Sequence, residues 1–280
     1  MTTDNAALLN AKRGTTANGV PFLALPPERA RDAQGAVIFW HGADPPRTEE
    51  ALAAAVPMRG VPVWRVYLGM PGHGIRSPEG GVEEIMRLAA QDALSLLFRP
   101  RIEDALAELP GAVDDLRARL GIDPALPLGL FGFSQGGAAA LLAVSRGLLP
   151  FKAVVTFGAT VDMQALINHI ASLFGMTYEW TDERRALADR LSPVGYARAL
   201  AESGAAILLG VGADDPYPTR EPAERLAASI VSGGGSAEAR IVPNLAHAFV
   251  DEPGEAPAPQ GEQARAVDDL ASRWFTSHLT

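Results

Sequence analysis

Six stretches of the chain are apolar almost without interruption: 36–41 (AVIFWH), 61–69 (VPVWRVYLG), 126–133 (LPLGLFGF), 151–159 (FKAVVTFGA), 205–213 (AAILLGVGA) and the more polar 237–244 (AEARIVPN). Short runs rich in β-branched and aromatic residues predict buried strands. Between them, apolar residues recur at helical spacing. Ile85, Leu88, Ala89, Ala93 and Leu96 do so within 82–98, and Leu106, Leu109, Val113, Leu116 and Leu120 within 102–120. Ala264, Val267, Leu270, Ala271 and Phe275 mark a closing amphipathic helix over 260–279. Pro110 is expected to kink or split the second of these helices, because it lacks the N–H that a helix interior needs. Strands alternating with helices predict a mainly parallel central sheet covered on both faces, and burial of both faces explains why the strands do not alternate with polar residues. GVPFLALPP at 19–27 reads as an antiparallel edge strand.

Residues 160–200 break that alternation. They form a helix-rich stretch carrying Phe174, Tyr178, Trp180 and Tyr196 between two strands, which predicts a helical cap inserted into one domain spanning 1–280. Most of these aromatics are expected to pack the insertion onto the core. Trp180, Tyr178 and Phe174, with Tyr217 further on, are candidates to line a substrate pocket.

Composition narrows the class of function. At 280 residues, 48% hydrophobic and 20% charged, the chain has ample apolar material for a two-sided core. A formal charge of -9 argues against nucleic-acid partners and anionic membrane surfaces. The opening MTTDNAALLNAKRG lacks a leader-like apolar run and no segment is apolar over a membrane-spanning length, so a cytoplasmic protein without membrane insertion is expected. The absence of cysteine excludes disulfides, a thiol nucleophile and thiolate metal sites. The histidines and carboxylates show no metal-ligand spacing, and neither metal nor cofactor is expected.

The sharpest chemical signal is Gly132-Phe133-Ser134-Gln135-Gly136, preceded by the apolar run LPLGLFGF and followed by Gly137 and the helix-favouring AAALLAVSRG. A serine on a tight strand-to-helix turn needs small neighbours, and glycines two before and two after supply them. GFSQGGAAALLA resembles the nucleophile elbow of the α/β-hydrolases, especially the phospholipase/carboxylesterase and dienelactone-hydrolase-like groups. FWHG at 39–42, MPGHG at 70–74, GADDPYP at 212–218 and AHAF at 246–249 follow in the same order as in that superfamily.

The resemblance implies an α/β-hydrolase fold and a serine hydrolase with Ser134 as nucleophile. A serine hydroxyl needs a base, and the chain offers His41, His73, His169, His247 and His278. The superfamily order of serine, acid, then histidine leaves the last three; His169 precedes the acid candidates and His278 sits at the terminus, so His247 is the expected base. Asp214 and Asp215 both qualify as the acid that orients it. Resemblance to the superfamily's G-x-x-D pattern, counted from Gly212, selects Asp215, and counting back from Pro218 selects Asp214, with Asp215 preferred. Oxyanion donors are expected from the backbone N–H of Gln135 and of Ala43, with Gly42 as the adjacent alternative. His41 reads as a residue that organises this loop, and His73 as a turn residue near the pocket. The implied substrate is a small-molecule carboxylic ester with a small to medium acyl chain. Amide, peptide and thioester substrates on the same triad remain open, as does a binding protein without activity.

Overall fold

A computed structural model describes residues 6–280. Residues 1–5, the first part of the segment read above for a leader, lie outside them. The central sheet has eight strands: β1 (Lys12–Thr15), β2 (Pro21–Leu25), β3 (Gly35–Trp40), β4 (Val63–Leu68), β5 (Leu128–Phe133), β6 (Phe151–Phe157), β7 (Ala206–Gly212) and β8 (Ser236–Val242). Their order across the sheet is β1-β2-β4-β3-β5-β6-β7-β8. β1 pairs antiparallel with β2 and β2 with β4, and every other pairing is parallel. This is the mostly parallel sheet that the alternation of runs predicts, in the α/β-hydrolase arrangement that the resemblance implies.

Strands buried on two sides divide their residues between two cores. Ala36, Ile38 and Trp40 of β3 face one cluster while Val37 and Phe39 face the other, as the two-residue period of a strand requires. The short α1 (Ala6–Leu9) precedes β1; α2 (Glu49–Ala55) and the closing helix pack on the Val37 face. On the Ile38 face lie α3 (Gly81–Ala93), α4 (Arg99–Leu120) and α5 (Gln135–Ser145). Between β6 and β7 the chain forms α6 (Met163–Leu173), α7 (Asp182–Leu191) and α8 (Ala197–Glu202), in the stretch read as a cap. α9 (Arg220–Ser232) and α10 (Glu262–His278) complete the series. Among the described residues no helix is long and apolar enough to cross a membrane.

Two local expectations are corrected. The segment around Phe22 is an antiparallel strand but does not form the edge, because the four exposed residues of β1 pair outside it and leave β2 fully buried. Pro110 does not split its helix: α4 runs through it for 22 residues. The proline ring fixes φ near the helical value, so the helix continues past the missing N–H, and on the same turn Asn18 Nδ2 donates to the Glu108 carbonyl at 2.8 Å. The break falls instead at Asp92, whose backbone is extended (φ -167°, ψ 90°) and whose Oδ1 accepts from Ser95 N at 3.1 Å, the bond of a helix N-cap.

The same carboxylate holds the inserted helices. Tyr178 donates its hydroxyl to Asp92 Oδ1 at 2.6 Å and Arg184 of α7 pairs with Oδ2 at 3.0 Å. Burial pushes this carboxyl up, but the Tyr178 and Ser95 hydrogen bonds and the Arg184 charge outweigh it and hold it below the usual carboxylate range.

Candidate active site

Ser134 stands between β5 and α5 with φ 53° and ψ -119°, a conformation that L-residues avoid. The turn holds because its glycines allow the backbone of strand, helix and neighbouring strand to converge. A β-carbon on Gly132 would lie 2.4 Å from the Gly136 carbonyl oxygen, and one on Gly136 would lie 2.4 Å from that of His41. Ser134 N donates to Phe157 O at 2.9 Å, and its own carbonyl accepts from Gly137 N at 3.0 Å. The strained residue is thereby fixed from both sides, with its side chain at the C-terminal edge of the parallel strands.

His247 lies in the loop after β8 and Asp215 in the loop after β7. The imidazole Nδ1 is 2.9 Å from Asp215 Oδ2, and Nε2 is 3.0 Å from Ser134 Oγ. An acceptor-only carboxylate requires the proton on Nδ1, which leaves the Nε2 lone pair facing the serine hydroxyl. Asp215 is held in turn by Tyr217 N, donating to Oδ1 at 2.9 Å, and by Thr219 Oγ1, donating to Oδ2 at 2.8 Å. Asp214 is exposed, and its backbone N–H donates to Leu245 O at 3.0 Å. Of the two adjacent carboxylates, Asp215 is the one that meets His247.

The loop after β3 closes the other side. His41 is fully buried; its Nδ1 donates to Gly42 O at 2.9 Å and its Nε2 accepts from Met70 N at 3.0 Å. These bonds define a neutral ring. They also aim the Gly42 carbonyl at the imidazole, so that across a trans peptide the Ala43 N–H points the opposite way. Gly42 packs on the nucleophile closely enough that a β-carbon there would lie 2.8 Å from Ser134 Cβ. Gln135 is the first residue of α5, and a first-turn N–H has no acceptor within its own helix. Of the residues expected to supply oxyanion donors, Gln135 directly follows the serine and Ala43 directly follows the Gly42 that packs on it.

Burial pushes His41 down to about 4, partly opposed by its bond to Gly42 and reinforced by Arg101. His73, buried with its Nδ1 3.0 Å from Pro71 O and its ring edge-on to His41 at 5.3 Å, is also held well below its ordinary value by burial, His41 and Arg101. An unfolded histidine takes up a proton near pH 6.5, whereas folded His41 resists until about pH 4. Across that window the unfolded chain binds the extra proton, so stability rises with pH and is lost as pH falls, by about 1.4 kcal/mol per unit for one such group. Urea unfolding is expected to show a lower stability at pH 5 than at pH 7 and a shallower pH slope in His41→Gln. Equal slopes in the two proteins would refute this role for the buried ring.

The four residues expected to line a substrate pocket do not all converge. The Tyr217 ring lies 4.5 Å from that of His247, edge-on, and so borders the triad. Tyr178 is engaged by Asp92, and Trp180, edge-on to it at 4.8 Å, donates Nε1 to Asn168 Oδ1 at 2.8 Å. Phe174, 55% exposed, flanks a groove of about 270 Å³ between α3 and α6. One residue at the centre was not anticipated. Asp44, next to Ala43, places Oδ2 3.6 Å from His247 Nε2. Burial pushes its carboxyl up, against the pull of His247 and Arg47. Its one sequence signal is adjacency: if Ala43 carries the donor, the next side chain stands at the rim of the site.

A model of the prolyl oligopeptidase family matches residues 108–276, the part of the chain that carries Ser134, Asp215 and His247. The chain belongs to that family. The family member described here is a serine hydrolase with an α/β-hydrolase fold. No curated protein matches it in sequence. Among solved structures it is similar to TT1662 from Thermus thermophilus, with a TM-score of 0.67 and 19% identity over 95% of this chain and 98% of the other. It is similar to the acylaminoacyl peptidase of Pyrococcus horikoshii (0.64, 16% identity, 96% of this chain), of whose length it spans 41%. It is also similar to carboxyl esterase 2 of the fungus Tuber melanosporum (0.64, 17% identity, 97% of this chain and 88% of that one). At these identities the likeness is one of fold.

Proposed function

We propose that the protein is a carboxylesterase that cleaves small to medium acyl esters through an acyl-enzyme, with Ser134 as nucleophile, His247 as general base and acid, and Asp215 as the orienting carboxylate. The observation that carries the reading is the continuous chain from Asp215 Oδ2 through His247 to Ser134 Oγ, with links of 2.9 and 3.0 Å. In the first step Ser134 Oγ attacks the carbonyl carbon as its proton passes to Nε2. The N–H groups of Ala43 and Gln135 receive the developing oxyanion. The imidazolium, stabilised by Asp215, returns the proton to the leaving alkoxide. Water, deprotonated by the same Nε2, then releases the acid and restores the serine.

Within this reading the chain is one domain, and α6 to α8 form the cap, anchored through Asp92. Tyr217 borders the leaving atoms, while Phe174, Tyr178 and Trp180 shape the cap at a distance from them. Support for an ester comes from the Tuber carboxyl esterase, of whose length the chain spans 88%, against 41% of the Pyrococcus peptidase. The family match favours a second reading, a peptidase on the same triad.

Matched p-nitrophenyl esters and p-nitroanilides carrying the same acyl group separate the two. The esterase reading expects ester turnover that depends on chain length from acetyl to octanoyl, with the anilides slower by at least about a thousandfold in kcat, or ~4 kcal/mol of barrier. Comparable rates on an anilide or a peptide would favour the peptidase.

A further inference from the structure

We infer that Asp44 makes this site selective for substrates that carry a positive charge in the leaving group. The inference rests on the acyl-transfer reading above and names the class of substrate for that same site. Nε2 of His247 serves the serine proton and, after attack, the leaving group. A carboxylate oxygen 3.6 Å from that atom therefore borders the path along which the leaving group departs.

The carboxylate is reachable and uncommitted. Its side chain is 34% exposed, and among the described residues it accepts no hydrogen bond. In the resting tautomer Nε2 carries no proton, so His247 donates nothing to it. The neighbouring Arg47 is paired with Glu252 at 3.0 Å. Burial, and after it the charges of Asp44 and Asp215, push the Tyr217 phenol up, so the ring stays neutral and supplies no counter-charge from that side. The pull of Arg47 on Asp44 acts without a hydrogen bond, so a cationic leaving group would bring the direct partner that the carboxylate lacks. An anionic one would meet like charge at the same point, so one residue serves attraction and rejection together.

The Ala43–Asp44 adjacency gives the arrangement its precision. The peptide that supplies the expected oxyanion donor is held by His41, and the carboxylate extends from the following Cα. A substrate seated with its carbonyl on Ala43 N–H is thus placed with its leaving side within reach of Asp44.

The test uses two pairs of substrates that differ in charge alone. The first is 2-(trimethylammonio)ethyl thioacetate and its carbon isostere 3,3-dimethylbutyl thioacetate, followed by thiol release. The second moves the charge to the acyl side: the p-nitrophenyl ester of trimethylglycine and that of 3,3-dimethylbutyric acid. Each ratio of kcat/KM, cationic over neutral, is compared between the wild type, Asp44→Asn and Asp44→Ser, so that intrinsic reactivity and general loss of activity cancel. A pair at this separation in a partly exposed site corresponds to roughly 10- to 100-fold selectivity. The first ratio is expected to fall by that factor in both variants, and the second to fall by less than about threefold. An unchanged first ratio, or a loss confined to the acyl pair, would overturn the inference while leaving the esterase reading intact. Absence of turnover with all four substrates would overturn both.

Discussion

Replacing Ser134 with alanine is expected to reduce turnover of a p-nitrophenyl ester by about a million-fold, equivalent to ~8 kcal/mol of lost transition-state stabilisation. The size of the effect follows from what the substitution removes. Ser134 Oγ is the group that His247 Nε2 reaches at 3.0 Å, and it is expected to form the covalent bond to the acyl group. Without it, attack must come from water, assisted only by what remains of the oxyanion donors and binding, so a small residual rate over the uncatalysed reaction is expected. The backbone should survive, because the bonds that hold the turn are made by the Ser134 N–H and carbonyl rather than by its hydroxyl. Alanine tolerates the strained φ of 53° no better than serine does, so thermal unfolding of the two proteins should nearly coincide. Equal turnover by both proteins would remove Ser134 from the mechanism and with it the proposed function.

The elbow was legible because its chemistry depends on residue type at fixed spacing. Glycine is required at 132 and 136 by contacts of 2.4 Å, and an apolar run must lead into it for the serine to sit on a sheet edge. The buried strands were legible for a similar reason: the two cores demand apolar residues on both faces. What escaped was structure set by partners rather than by composition. Lys12–Thr15 is short, charged and exposed, and becomes a strand because the outer edge of β2 offers it a backbone ladder. The helix break at Asp92 depends on a side-chain oxygen finding Ser95 N, Tyr178 and Arg184, the last two more than 80 positions away.

The same distinction runs through the site. Choosing aromatics by type named Phe174, Tyr178, Trp180 and Tyr217, yet their directions follow from separate bonds, and Tyr217 is the one drawn to His247. Asp44 had no motif to mark it. Its place beside Nε2 is set by the path of the loop, two positions beyond the Gly42 carbonyl that bonds the His41 ring, and no residue-type pattern encodes that path.

Asp215→Asn is expected to lower kcat by about ten-thousandfold with little change in KM, because Asp215 acts on the imidazole and not on substrate. The present carboxylate can only accept, and it fixes the proton on His247 Nδ1 across 2.9 Å. An asparagine amide turned to donate at that position would stabilise the opposite tautomer, with the proton on Nε2, and the serine hydroxyl would then face a donor. The bond from Tyr217 N favours that orientation, since it needs an oxygen at the Oδ1 position and so places the NH₂ at the Oδ2 position facing the histidine, where the Thr219 hydroxyl can rotate to accept from it. Asp214→Asn changes a side chain at the surface and should alter turnover by less than about twofold, within the range of a remote surface charge. The pair of variants separates an orienting role from a general field of negative charge, because both lose one charge from adjacent positions. If the two lose activity equally, the carboxylates act through the field; if Asp214→Asn alone is inactive, the acid is the other residue and the hydrogen bond to Asp215 is not the working one.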